Sequence, residues 1–460
     1  MMRSLRLLAG IIAFATILCA QLKLPPYLTR TLPNGVTVYV MKKTGVPLVN
    51  IDVAIRGGKE SEPANLTGIA SITADLLRKG TTAHSASEIS EELDALGGSY
   101  RNHTDEQSTL LETEFLAKDF NHGLSVVAET LLHPTFPQSE VVKLLGQRRD
   151  DIRSLKDNPR RAISAYAHAF FFGPDHPYGR IVDEQSLRQT TRDGIEQYYQ
   201  RMYTAPNLIV TVVGDIDPAA VVRQLDHVFA PLHAGAPYAW KQPIELKPLS
   251  TCRMLLVDKP ASTQTYFYVM QPGIDARNPD RAAIRLVNTV FGGTFASLLN
   301  EQLRIKTGLT YGARSSIDRD RLQGMNAIET FTKTASTARA LTLSVSTLKA
   351  LHENGITAAQ LASAKAYLKG TLPRSLETGS QLANQLIRLN VLGLDRDEVD
   401  DLFQRLDAVT LEQANAAAKK YYQPGGLTFV LIGDVPKFKA EMTKFAPHPR
   451  EISITQLGFN

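Results

Sequence analysis

The feature that most constrains this chain is that it repeats itself. Val36–Met41 (VTVYVM) and Arg253–Asp258 (RMLLVD) are β-rich runs 217 positions apart. Leu208–Asp215 (LIVTVVGD) is echoed by Leu427–Asp434 (LTFVLIGD), 219 positions on. Each Gly-Asp follows a helix-like segment ending in a tyrosine pair, Tyr198-Tyr199 and Tyr421-Tyr422. A near-constant offset indicates duplication of a unit of about 200 residues, a normal domain size. A chain of 460 residues is also too long for one hydrophobic core. Between the halves, His233 to Ser250 carries Pro237, Pro243 and Pro248 and reads as an extended linker. The expected units are therefore residues 21–232 and 251–460.

Within each half, strands come first, then a helix, then paired strands, then long helices and a closing strand. In the first half, Ser108 to Phe115 is strand-like. Pro137 is expected in the first turn of a long helix whose apolar side carries Val141, Leu145 and Ile152. In the second, Ala335 to Glu353 and Ala358 to Leu372 read as helices. Adjacent β-runs mixed with helices predict an α+β architecture, two homologous domains each with a mixed or antiparallel sheet packed against helices.

The first twenty residues stand apart. Arg3 and Arg6 precede a short apolar run, Leu7 to Leu18, and Cys19-Ala20 gives way to Gln21. This is the pattern of a secretory signal peptide cleaved after Ala20, so the chain is expected to be exported, periplasmic or secreted. Cys19 offers a lipoprotein reading as second choice. No later stretch is apolar enough to cross a membrane. Loss of two arginines and no acid takes the net charge from +5 to +3, a mild excess that does not point to nucleic acid. The basic pairs Arg148-Arg149 and Arg160-Arg161 read as solvated helix faces. Cys252 alone remains after cleavage, so no intrachain disulfide is expected.

Gly68 to Gly80 (GIASITADLLRKG) reads as a helix with Ile69, Ile72 and Leu76 on one face and Lys79-Gly80 at its end. Ser85 and Glu88 then form a capping box for the next helix, which stops at Gly97-Gly98. This layout resembles the pitrilysin and mitochondrial processing peptidase family of inverted-motif zinc peptidases. There the equivalent helix carries His-x-x-Glu-His. This chain keeps the frame (Gly68, Ala70, Lys79, Gly80, Thr81) and changes the chemistry. The resemblance places Ser71 at the first His, Ala74 at the Glu, Asp75 at the second His and Asp151 at the third ligand. A catalytic zinc needs about three protein ligands and an open position. Ser71 is a poor ligand, Ala74 cannot act as a base, and two carboxylates without imidazole hold zinc badly. No metal site is expected here, and zinc is expected in a partner subunit.

A second phrase is intact. Leu303 to Tyr311 (LRIKTGLTY) is similar to the family's L-R-x-x-x-G-L-x-Y. The resemblance assigns Arg304 to holding the substrate backbone and Tyr311 to supporting the scissile carbonyl as charge develops, roles that suit a donor fork and a pre-placed hydroxyl. Gly292-Gly293-Thr294 falls where relatives have a Gly-rich turn and is a candidate substrate contact; a helix cap and tight turn explains it equally well. His176-Pro177-Tyr178-Gly179 also matches a family phrase, with His176 as a loop-fixing residue. The expected function is the non-catalytic, substrate-binding subunit of a heterodimeric zinc metallopeptidase acting on peptides, inactive alone. The alternative is a non-enzymatic peptide-binding, chaperone or assembly protein of the same fold.

Overall fold

The computed structural model describes residues 22–459, and the expected signal peptide lies outside them. The repeated β-rich runs become matching strands of two separate six-stranded sheets. The first contains β1 (Leu28–Thr31), β2 (Thr37–Lys42), β3 (Leu48–Arg56), β4 (Ser99–Thr104), β5 (Ser108–Leu116) and β6 (Leu208–Gly214), in the order β1-β2-β6-β3-β5-β4. The second contains β7 (Arg253–Asp258), β8 (Gln264–Pro272), β10 (Ala313–Ile317), β12 (Met325–Lys333), β13 (Thr428–Gly433) and β14 (Arg450–Ser453), in the order β10-β12-β8-β13-β7-β14. Two-residue strands β9 (Ile274–Asp275) and β11 (Arg319–Asp320) pair with each other.

Reversing the second order sets β7 against β2, β13 against β6, β8 against β3, β12 against β5 and β10 against β4. The pairing senses agree as well: one parallel pair followed by three antiparallel ones in each sheet. The likeness stops at the sixth strand. β1 is antiparallel to β2, whereas β14 comes from the far end of the chain and lies parallel to β7. β6 and β13 are buried at every residue, as apolar runs covered on both faces should be.

The first five α-helices of the first half are α1 (Ile69–Leu76), α2 (Ala86–Ala95), α3 (Phe120–Leu132), α4 (Gln138–Asp157) and α5 (Pro159–Phe172). The Ser85/Glu88 capping box of α2 forms as the sequence predicts. Pro137 falls one residue outside α4 rather than in its first turn, with extended ψ of 133°. The helices expected near 335–353 and 358–372 run from Thr337 to Asn354 and from Ala358 to Thr371.

The two units are not simply joined in line; they exchange helices. α5, from the first half, lies on β8 and β13 of the second sheet. Its counterpart Gly379–Leu392, 220 positions on, lies on β3 and β6 of the first. Arg253 on β7 donates to the Phe171 carbonyl at 2.7 Å, and Asn390 donates to the Tyr39 hydroxyl at 2.8 Å. The ends of the described chain cross over too. Leu24 N–H donates to Asp400 at 2.8 Å in the second half, and Lys156 in the first half holds the Gly458 carbonyl at 2.9 Å.

Residues 233–250 carry no helix or strand, but they are pinned. Lys241 N–H donates to the buried Glu60 carboxylate at 2.7 Å. Arg321, from the turn before β12, reaches the same carboxylate at 2.7 Å and lies 4.9 Å from the Trp240 ring centre.

Candidate functional site

α1 starts where Gly68 adopts φ of +95°, a left-handed conformation that favours glycine. A side chain there would also collide with Val182, whose Cγ2 lies 2.7 Å from the Cβ position. The first amides of the helix are capped by a distant carboxylate: Gly68 N–H and Ala70 N–H donate to Glu62 at 2.9 and 3.1 Å. Burial pushes the Glu62 carboxyl up to about 7 in spite of those two donors.

The helix and α4 together line a cavity of about 440 Å³ that contains Ser71 and Asp151 on its wall, with Lys59, Arg148, Arg161 and Arg180. The four positions the resemblance matches to a metal site are thus on adjoining helices, but each is otherwise occupied or out of reach. Ser71 Oγ donates to the Gly68 carbonyl at 3.0 Å. Ala74 is fully buried, and its carbonyl accepts from Asn102 Nδ2 at 2.7 Å. Asp75 is engaged by the Arg148 guanidinium. Asp151 is exposed and has no partner among the described residues. This donor set does not fit zinc. A guanidinium lies against the one carboxylate α1 offers, and no group of three His, Cys, Asp or Glu side chains converges as a metal site among the described residues.

Arg148 therefore departs from the solvated-face expectation. α4 runs alongside α1, and Arg148 is one turn before Asp151 on the same face, which brings it onto Asp75. Its Nε is buried without a partner. Arg160 and Arg161 are exposed, as expected, but they line cavities rather than a plain helix surface.

Arg304 and Tyr311 come together on the second unit. Arg304 is on a short π-helical turn, Glu301–Ile305, and its guanidinium lies between two rings: 4.4 Å from the Phe295 centre and 4.7 Å from that of Tyr311. Tyr311 is 77% exposed. Neither the Arg304 donors nor the Tyr311 hydroxyl makes a hydrogen bond among the described residues. The backbone beneath is held firmly. Thr330 Oγ1 donates to the Gly312 carbonyl at 2.9 Å, Thr332 Oγ1 to that of Leu309 at 2.7 Å, and Ala313 N–H donates to Asn300 at 2.9 Å. Tyr311 is in this loop, two residues before β10 begins.

Phe295, Asn300, Thr330 and Thr332 were not singled out from the sequence. Phe295 directly follows Gly292-Gly293-Thr294, so the Gly-rich phrase was the available signal. The glycines themselves are explained by packing. A Cβ at Gly292 would be 2.3 Å from the Ser315 amide nitrogen on β10, and one at Gly293 would be 2.9 Å from Thr289 Cα. Thr294 Oγ1 reaches back to the Thr289 carbonyl at 3.5 Å.

His176 fixes its loop. Its Nδ1 accepts from Tyr178 N–H at 3.1 Å, and its ring stacks on Phe172 with centres 4.8 Å apart. Burial, followed by the nearby Arg180 and Lys241 charges, pushes the imidazole down to about 4. It is therefore neutral at physiological pH and is an aromatic spacer with one acceptor.

Two family profiles match the chain, and the boundary between them falls inside the first half, before β6. The profile described as Insulinase (Peptidase family M16) matches residues 37–179, and that described as Peptidase M16 inactive domain matches residues 189–368. The chain is 25% identical over 395 residues to the uncharacterized zinc protease YmxG of Bacillus subtilis, covering 85% of this chain and 95% of that protein. It is 26% identical over 397 residues to the uncharacterized zinc protease Mb2805c of Mycobacterium bovis, covering 85% and 89%. Among solved structures, the peptidase M16 inactive domain from Pseudomonas fluorescens superposes with a TM-score of 0.82 at 24% identity, covering 89% of this chain and 98% of that one. A protease from Helicobacter pylori gives 0.79 at 21% identity, covering 89% and 100%. The two sheets, the duplicated order and the two matched profiles lead to one conclusion: the chain belongs to peptidase family M16.

Proposed function

We propose that this chain is the non-catalytic, substrate-holding half of a two-chain zinc metallopeptidase acting on peptides. A homologous partner carrying His-x-x-Glu-His would bring the metal and the base. This chain would bring Arg304, Tyr311 and part of the chamber wall. The observation that carries the reading is the Phe295–Arg304–Tyr311 stack: a half-buried guanidinium and an exposed phenol held in place by ring contacts and a braced backbone, with their donors unspent. Such donors suit a peptide carbonyl supplied from outside the chain, with the Tyr311 hydroxyl placed to support an oxyanion. The misfit of Ser71, Ala74, Asp75 and Asp151 to zinc supports the assignment of the metal to the partner. The basic start and short apolar run of the first twenty residues support export to the periplasm or medium, which cell fractionation and the mass of the mature protein would check.

The test is reconstitution with a homologue that has the zinc motif. Alone, the chain is expected to bind no stoichiometric zinc and cleave no peptide. In the pair, Tyr311→Phe should lower kcat, by less than the roughly hundredfold typical of losing one oxyanion donor because a metal would share the charge. Arg304→Ala should mainly raise KM. Wild-type kinetics in both variants, with assembly intact by gel filtration, would reduce this chain to a wall. Loss of assembly with normal turnover would move the pair to the subunit interface.

A further inference from the structure

Beside Tyr311 is a second cavity, of about 510 Å³, between the edge of the second sheet and the start of α5. One wall is aromatic: Tyr266 and Phe331 are stacked with ring centres 5.3 Å apart. Another is cationic, with Arg160 and Arg161 on it. The third arginine of the lining, Arg314, is already neutralised by Glu329, with Nε to Oε2 at 2.7 Å. Arg160 and Arg161 have no carboxylate within ion-pair distance among the described residues. They belong to the first turn of a 14-residue helix whose preceding residue, Asn158, makes no side-chain cap, so the positive end of the helix adds to the same field.

Arg161 also lines the neighbouring cavity beneath α1, where Lys59, Arg148 and Arg180 are found. Of the two acids in that lining, Asp151 is exposed and unpartnered among the described residues, and the other is committed. Glu62 caps α1, Asp75 is bound to Arg148, and Lys59 is paired with Glu106 at 2.9 Å. Two adjoining cavities thus meet at an unpaired guanidinium, and one of them opens on Tyr311.

We propose that Arg160 and Arg161 make the Tyr311 cavity a carboxylate-recognition subsite, so that the chain selects peptides with an acidic side chain or a free C-terminus beside the segment Tyr311 meets. The guanidinium's planar donor fork matches a carboxylate, and the stacked Tyr266–Phe331 wall suits an adjoining apolar side chain. This inference rests on the peptide-binding reading above and goes further by naming the class of peptide.

Fluorescence anisotropy with the full chain tests it, using three labelled peptides of one otherwise neutral sequence. The first has a central Glu and an amidated C-terminus, the second a central Gln and a free C-terminus, and the third a central Gln and an amidated C-terminus. At least one carboxylate-bearing peptide should bind about fivefold tighter than the neutral one, as expected for partly exposed ion pairs. Which one does so distinguishes a side chain from a C-terminus as the source. The advantage should vanish in Arg160→Met/Arg161→Met, with neutral-peptide affinity unchanged, and largely survive in Arg160→Lys/Arg161→Lys. Equal binding of all three peptides, or an advantage that persists in the methionine variant, overturns the subsite and leaves the peptide-binding reading standing. No binding of any peptide overturns both.

Discussion

Arg321→Ala should test how tightly the two halves are latched. Glu60 is on the first half with a fully buried side chain, and Arg321 comes from the second with a side chain 17% exposed. The substitution removes two contacts to Glu60, at 2.7 and 3.3 Å, and a bond to the Lys241 carbonyl. It leaves the Lys241 N–H as the remaining partner of a buried carboxylate. Breaking a buried pair from one side costs about 3–5 kcal/mol. The surviving amide donor argues for the lower end, about 3 kcal/mol. With an unfolding entropy of about 2.1 cal/mol/K per residue, the chain as one cooperative unit has about 0.9 kcal/mol/K, so Tm should fall by about 3 °C. Denaturant titration and calorimetry measure this. Trp240, the single tryptophan of the chain, provides a local report, because it loses the cation stacked 4.9 Å from its ring. Glu60→Gln/Arg321→Met should recover to within about 1 kcal/mol of wild type, since the desolvated charge is then gone. A stability loss below about 0.5 kcal/mol for Arg321→Ala, or a double variant as unstable as the single, would refute the latch.

Three further outcomes are expected. Asp52 is fully buried on β3 with one carboxylate oxygen unpartnered, and desolvation followed by the nearby Glu112 and Glu114 charges holds its pKa well above the usual value. Its ionisation opposes folding, so Asp52→Asn should stabilise the protein, with the gain over wild type growing from pH 5 to pH 8 in urea midpoints. His176 is depressed to about 4 in the fold against 6.5 unfolded, so its contribution is intact above 6.5 and is lost as pH falls toward 4. The stability difference between His176→Asn and wild type should therefore shift in favour of the variant from pH 7.5 to 5; a flat difference would show that the imidazole is not held neutral. Finally, Ser71→His/Ala74→Glu/Asp75→His should bind zinc poorly by metal analysis until Arg148→Ala and Asp151→Glu are added, because Arg148 otherwise projects a cation into the rebuilt site.

Much of the fold was legible because duplication repeats apolar, strand-like runs at a near-constant offset. Val36–Met41 and Arg253–Asp258 mark β2 and β7, and the two Gly-Asp endings mark the close of β6 and β13. The exchange of α5 with Gly379–Leu392 was not legible. An amphipathic pattern shows that a helix face is buried, but not which of two similar sheets buries it. At the candidate site, Arg304 and Tyr311 are recognisable as a phrase, and the substituted zinc frame is recognisable by its retained glycines. The Arg148–Asp75 pair is not, because it joins residues 73 positions apart on helices whose packing no local pattern specifies. Phe295 was missed because an exposed phenylalanine has no sequence signature until its guanidinium neighbour is in place.

The exchanged helices also govern where this molecule can bend. Ile387 and Val391 of the helix Gly379–Leu392 are buried against Ala54, Leu110 and Ile209 of the other half, and Tyr166 of α5 donates to the Ile454 carbonyl. A hinge between the halves would pull both apolar helix contacts into water at once and break the Arg321–Glu60 latch. Each half is thus the missing layer of the other, as in a swapped dimer written into one polypeptide. Cutting the backbone between residues 242 and 250 should leave two fragments that stay together, while either fragment made alone should aggregate. On the proposed two-chain reading, opening the two halves of this chain would be costly, so gating for a peptide would fall between this chain and the other subunit.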